Sequence, residues 1–457
     1  MMRKLFDIHE SEIFLLLSMP YLLILVFLTP PFQVPDETEH YFYARAITTG
    51  HIFPRDLDGT GVGGTVTQAD IELVTAFDGI KFHPEVKATR QMYEAARQVE
   101  GANTWVVQNY WGAAIYPPVA YAIPAVAMLL ADAAGFDRLD AFYAGRAANA
   151  LLFALSVALA IWITPVGKAA FAAIFLLPMS LFEAASFSAD APTYALTALI
   201  CAVMMRLATS APGGTRTLWL VGILIAVLST IKSPLVALII PLAVLAARNS
   251  KKTAFLLSSF VGFVWLAWTV GFMSMDGFSA RQKTLVDVSS SRQILYILEN
   301  PFVIFEIAFT TIRLWWWDYI SSCIGILGWL DTGLSRLFYI FSIMTLIFVF
   351  SGSIFVSKVE LPNFFRWSLF ASAISACALI FGALYLAWTP VGFTSVQGVQ
   401  GRYFIPILLI MAISVSNMNA SRYSRSISAA TYGVIFLFAT ISLAHVTSVL
   451  VDRYYVP

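Results

Sequence analysis

The feature that most constrains this chain is a succession of apolar runs, each near the ~20 residues needed to cross a ~30 Å hydrocarbon core. Eleven such runs fall near 13–30, 141–163, 168–187, 190–207, 217–231, 234–247, 253–273, 335–357, 364–387, 403–417 and 426–447. Hydrophobic residues make up 59% of the 457, and charged residues only 12%. In lipid each helix must satisfy its own backbone polar groups, so the expected fold is an all-α membrane protein of about eleven transmembrane helices.

Two further apolar segments are left out of the count. Val119 to Ala131 is short and interrupted by Pro124, which suits an interfacial or re-entrant helix. Phe302 to Ile326 is long enough, but Glu306, Arg313 and Asp318 surround Trp315, Trp316 and Trp317, a pattern expected at the headgroup level. Counting either one alone would invert every later loop.

Charge then orients the chain. Arg3 and Lys4 place the N-terminus in the cytoplasm, and the run after them has no small-residue cleavage site, so it reads as a retained first span. With eleven spans, Lys168, Arg206 with Arg216, Arg248 with Lys251 and Lys252, Lys358, and Arg422 with Arg425 all fall in cytoplasmic loops.

The expected organisation is a cytoplasmic N-terminus and first span (1–30), a long first external loop with juxtamembrane helices (31–140) and spans two to seven (141–273). An external loop with the interfacial helix (274–334) and the C-terminal spans (335–457) follow. The middle of the first loop, from GTGVGG at 59–64 to about residue 109, is polar and is expected to be partly mobile.

A net charge of +1 supplies no basic field for nucleic acid, and no zinc-finger, RNP or basic-helix pattern occurs. Cys201, Cys323 and Cys377 lie far apart in apolar stretches and read as small packing residues.

The charged residues that remain sit beside the apolar runs, where desolvation is costly. In PPFQVPDETEHYFYARA (30–46), Pro35 suits a first helical position, and acids in the first turn complement the helix dipole. The same residues allow chemistry: Asp36 and His40 are four apart and share a helix face near Tyr43, so a carboxylate beside a histidine could deprotonate an incoming hydroxyl. The acidic group could instead hold a divalent cation such as Mg²⁺.

Arg146 and Asp190 stand at the external ends of their spans, where an arginine can snorkel and an aspartate can cap. Lys232, in STIKSP, lies between two short apolar runs, and an intramembrane cation of this kind suits a lipid phosphate. Arg402, in VQGVQGRYFIP, follows Gly398 and Gly401, whose backbone amides could join its guanidinium around a phosphate; with Tyr403 it could equally form an interfacial belt. GILGWLDTGLS (325–335) reads as a tight turn with Asp331 capping the next span.

Taken in order, PPFQVPDETEHYFYARA, SFSADAPTYAL, NPFVIFE with GILGWLDTGL, and VQGRYFIPIL resemble a bacterial multi-spanning family of unknown function grouped with the GT-C glycosyltransferases. The resemblance spans nearly the whole chain. It implies a multi-pass protein of the bacterial inner membrane that takes a sugar from a polyprenyl-phosphate carrier, usually with inversion, and passes it externally to a cell-envelope glycan or lipid.

On that resemblance Asp36 is the expected catalytic base, with Glu37 beside it and His40 in support. Lys232, Arg402 and Arg146 are the expected donor-phosphate ligands, and Asp190 and Tyr403 support them. No soluble C-terminal domain and no sequon-reading motif accompany these residues. The rival expectation is a transporter or flippase of a lipid-linked glycan, with the acidic cluster coupling ions.

Overall fold

Seven of the eleven apolar runs fold into helices long and apolar enough to cross a membrane: Glu10–Leu28, Arg138–Ile163, Asp190–Thr209, Lys251–Met273, Arg336–Ser353, Asn363–Ala387 and Ser426–Tyr454. The computed structural model describes residues 9–58, 61–99, 104–274, 287–354, 359–416 and 424–457. Arg3, Lys4, Lys358, Arg422, the side chain of Arg425, and the first two residues of the 59–64 stretch lie outside the described residues.

The other four runs form shorter helices, so the count of eleven spans is not confirmed. Run 168–187 divides into Lys168–Phe175 and Pro178–Ala184, because Pro178 brings no N–H to continue the first helix. Run 217–231 forms the 17-residue helix Thr215–Ile231, about 26 Å long at 1.5 Å per residue. It stops at Lys232, and run 234–247 continues as a 3₁₀ segment, Ser233–Leu238, and a short helix, Ile239–Ala247. Run 403–417 likewise begins as a 3₁₀ turn, Gly401–Phe404, before the helix Ile405–Val415.

Segment 302–326 is a 23-residue helix, Val303–Gly325, bent by 113° from Ser290–Glu299; taken as one broken span, the pair raises the count to eight. Its outer face carries Phe305, Phe309, Ile312 and Trp316, together with exposed Glu306 and Arg313. Segment 119–131 forms the short helix Ala122–Ala133, as its length requires.

The described residues of the first loop's middle form regular structure. Strands β1 (Arg55–Asp56), β2 (Val62–Thr67) and β3 (Trp105–Asn109) pair antiparallel in that order. Gly63 is what lets β3 approach: a Cβ there would collide with the Gln108 carbonyl oxygen. Helices Gln68–Asp78 and Arg90–Arg97 complete the unit.

A buried network locks this unit to the spans. Arg45 Nε donates to Asp70 at 2.9 Å and Arg45 Nη1 to Asp132 at 2.8 Å; Arg138 donates to Asp132 at 3.1 Å, and the Tyr41 hydroxyl to Asp70 at 2.8 Å. Buried charge is tolerated here because each carboxylate is met by a guanidinium.

The helices define two ends of one bundle. At one end Lys168 pairs with Glu10 at 3.1 Å, and Arg248 donates to the carbonyls of Leu207, Ala208 and Ser210. At the other, the Tyr455 hydroxyl donates to the Leu28 carbonyl, and the first loop packs over the helix termini. The PDETEH motif belongs to this second end.

Candidate functional site

Pro30–Gln33 and Val34–Glu37 form tight turns that bring PDETEH back against the bundle. Asp36 occupies the N-cap of Glu37–Thr48: its carbonyl accepts from the amides of Glu39 and His40 at 3.0 and 3.1 Å. Its φ of +62° lies in the left-handed region, which aspartate tolerates better than most residues. The side chain makes no capping bond. The carboxylate is therefore free to reach across the fold, and it accepts from Arg402 Nη2 at 3.1 Å.

Arg402 sits on the 3₁₀ turn Gly401–Phe404, held in place by its predecessor. A Cβ at Gly401 would collide with the Tyr319 carbonyl oxygen and the Cys323 amide, and the Gly401 N–H donates to Ser322 Oγ at 2.9 Å. From this seat Arg402 Nη1 donates to Glu183 Oε1 at 2.7 Å, while Nε lies 3.7 Å from Asp190 Oδ2.

Asp190 begins its span after a serine turn in which Ser186 Oγ donates to the Glu183 carbonyl and accepts from the Ser188 amide, and Ser188 Oγ accepts from the Asp190 amide. Lys232, freed by the end of its helix, donates to Asp190 Oδ1 at 2.6 Å and lies 4.5 Å above the Tyr403 ring.

Five residues from four distant segments thus meet in one chain of charge: Asp36, Arg402, Glu183, Asp190 and Lys232. Glu183, Asp190 and Arg402 are buried, whereas the Asp36 side chain is 52% exposed. Three carboxylates face two cations. The expected cradle of free cations is therefore corrected to a cluster in which both cations are already paired with carboxylates, and whose only open member among these five acids and bases is Asp36, with Lys232 part-buried.

Glu37 and Arg146 form a separate, sealed pair. Arg146 Nε and Nη2 donate to the two Glu37 oxygens at 2.7 and 2.5 Å; Nη1 donates to the carbonyls of Val26 and Thr29, and Nη2 also to Pro30. All five guanidinium N–H bonds are then used, and both side chains are fully buried. Arg146 has no donor left for a phosphate, and Glu37 is no open neighbour of the base. Both belong to the scaffold that fixes the 30–37 turn.

His40 turns towards Tyr121, with Nδ1 2.6 Å from the hydroxyl, so Asp36 reaches it by charge and not by a hydrogen bond. Burial drives the imidazole down to about 4, against the raising influence of Asp36. It is neutral at physiological pH. Tyr116 packs its ring 5.6 Å from His40 and feels Lys232, Asp190 and Arg402; burial pushes its hydroxyl up to about 12.

Sequence reasoning missed Glu183 and Tyr116. The signal for Glu183 was available, since an acid inside an apolar run needs a partner. Tyr116 carries no such mark. Asp331, expected to cap a span, instead pairs with Arg453 at 3.0 Å, and the cap of Arg336–Ser353 is Ser335. Among the described residues, no group of three or more His, Cys, Asp or Glu is placed to hold a metal ion.

Fold and site together define a polytopic α-helical membrane protein with a charged cluster at one end of its bundle. The chain belongs to the DUF2142 family, whose model, described as a predicted membrane protein, matches residues 21–411. No curated protein and no solved structure matches it.

Proposed function

We propose that this protein is a GT-C-like membrane glycosyltransferase that moves a sugar from a polyprenyl-phosphate carrier to a glycan or lipid acceptor of the cell envelope. In this reading the protein spans a bacterial inner membrane with its N-terminus in the cytoplasm and the Asp36 end outside. Nucleotide sugars stay in the cytoplasm, so external chemistry suits a lipid-borne donor.

The observation that carries the proposal is a half-exposed carboxylate bonded at 3.1 Å to a buried guanidinium, which Asp190 links to a lysine. A donor phosphate entering the cluster competes with Asp36 for Arg402 Nη2. Once displaced, Asp36 accepts the proton of the acceptor hydroxyl while that oxygen bonds to the anomeric carbon. The bond from that carbon to the phosphate oxygen breaks, and the electron pair leaves with a phosphate held by Arg402 and Lys232. Glu183 and Asp190 orient the two cations.

Purified full-length protein, supplied with radiolabelled polyprenyl-phosphate sugars and envelope lipids, should form a new glycosidic product. Asp36→Asn should lower that rate by ~10²- to 10⁴-fold, the usual worth of a positioned base. Transfer by folded Asp36→Asn protein at the wild-type rate would sink the assignment.

One observation favours a second reading. Glu183, Lys232 and Arg402 all lie at interruptions of apolar helices, as ion and substrate ligands do in secondary transporters. A lipid-linked-glycan flippase would move label across a vesicle membrane without forming a glycosidic bond, and the same assay separates the two.

A further inference from the structure

Gln397 to Gln400 lead directly into Arg402, and they line a cavity of about 200 Å³ that the proposed transfer leaves without a role. The facing wall is the helix Val303–Gly325, through Trp315, Asp318, Tyr319 and Ser322. The bond from Gly401 to Ser322 joins the two walls, so this chamber is built on the same backbone that seats Arg402.

Its polar groups have unfilled capacity. Asp318 is exposed, and among the described residues no ion pair engages it. Gln400 Oε1 is buried without a hydrogen-bond partner among the described residues. Gln397 donates to Ser395 Oγ at 3.0 Å, which leaves its carbonyl oxygen to accept. Among the described residues no Lys or Arg lines the chamber, so a phosphate would meet an acid there and no counter-charge. A single carboxylate is also too few for a hard cation. A carboxylate, two amides and an indole face instead match a neutral sugar, whose hydroxyls seek donors and acceptors and whose C–H face packs on an aromatic ring.

On the other side of Val396, which lines both spaces, an apolar cavity of about 380 Å³ lies between Ser290–Glu299, Val303–Gly325 and Asn363–Ala387. Ile297, Ile307, Phe381 and Leu386 line it. Apart from Thr311 and Tyr385, whose hydroxyls bond to the backbone at Val396 and Phe393, its lining is apolar and suits a hydrocarbon chain.

We infer that the two adjacent cavities together bind a glycolipid that passes over Val396, with an uncharged sugar against Asp318, Gln397 and Gln400 and its hydrocarbon chain along the apolar cavity. That this glycolipid is the acceptor rests on the transfer reaction proposed above; the binding site itself does not.

Full-length protein in nanodiscs, photolabelled with an alkyl β-D-glucoside carrying a diazirine in its chain, tests the inference. Label should map to 303–312 and 378–386. Unlabelled dodecyl β-D-glucoside should compete at roughly tenfold lower concentration than dodecylphosphocholine, the worth of one or two hydrogen bonds to a charged or buried group. Asp318→Asn and Gln400→Ala should each erase that preference while leaving the chain labelling intact, which also reports that the variants fold.

Equal competition by the two amphiphiles, label outside these segments, or a preference that survives both substitutions would overturn it. Asp36→Asn protein should keep the glucoside preference, so a failure of the labelling and a failure of the transfer assay are separate results.

Discussion

Asp36 and Glu37 are adjacent acids, each bonded to an arginine from a distant segment, yet they end in opposite conditions. Glu37 meets Arg146 in a fully buried pair whose guanidinium has every N–H committed. Asp36 meets Arg402 through a single nitrogen while remaining half exposed. Identical chemistry serves as scaffold in one case and as a candidate reactive group in the other. What separates them is unspent hydrogen-bonding capacity and access to solvent, neither of which is a property of the residue type.

The largest test of this contrast is Arg146→Met, which leaves Glu37 as an uncompensated buried charge. A loss of about 3–5 kcal/mol is expected, read as collapse of the monodisperse peak in detergent chromatography. A well-behaved variant would show that the sealed pair is not structural.

His40, one turn beyond Asp36 and Glu37 on the same helix, gives a pH test. Its imidazole titrates near 4 when folded and near 6.5 when free. Between those values the unfolded chain binds more protons. Stability is therefore complete above pH 6.5 and falls as the pH drops to 4, by about 3 kcal/mol. Melting curves of His40→Gln protein should lose this part of the slope, and an unchanged slope would assign it elsewhere.

Arg402→Lys keeps the charge but not the fork that spans Glu183 and Asp36, and should lower transfer by ~10²-fold with little change in melting temperature. The smallest effect is thermal: Asp36→Asn should shift stability by no more than ~1 kcal/mol, as for other half-exposed pairs. A large destabilisation there would place Asp36 with Glu37 in the scaffold.

The seven long helices were legible because each run is long and unbroken, with its few charges near the ends. The other four runs form shorter helices: mean hydropathy is blind to the break at Pro178, and 3₁₀ turns at Ser233 and Gly401 take up the start of two more. Strand β2 was hidden by its glycines, which look like a loop but are needed for close approach at Gly63.

Of the site, Asp36, Asp190, Lys232 and Arg402 stood out as charges flanking apolar runs, and the structure brings them together. The pairing of Glu37 with Arg146, 109 residues apart, leaves no local trace. Counting their charges could not reveal that both were already spent.

The spacing of Glu183 from Arg402, 219 residues, also bears on how the protein is made. Lys232 follows Asp190 by only 42 residues, so that salt link can close early in synthesis. Glu183 must wait until nearly the whole polypeptide has left the ribosome, about 10 to 45 s at ordinary elongation rates. A chain truncated before residue 402 would carry that acid uncompensated in its apolar surroundings, and membrane proteases would meet it as an unfinished product.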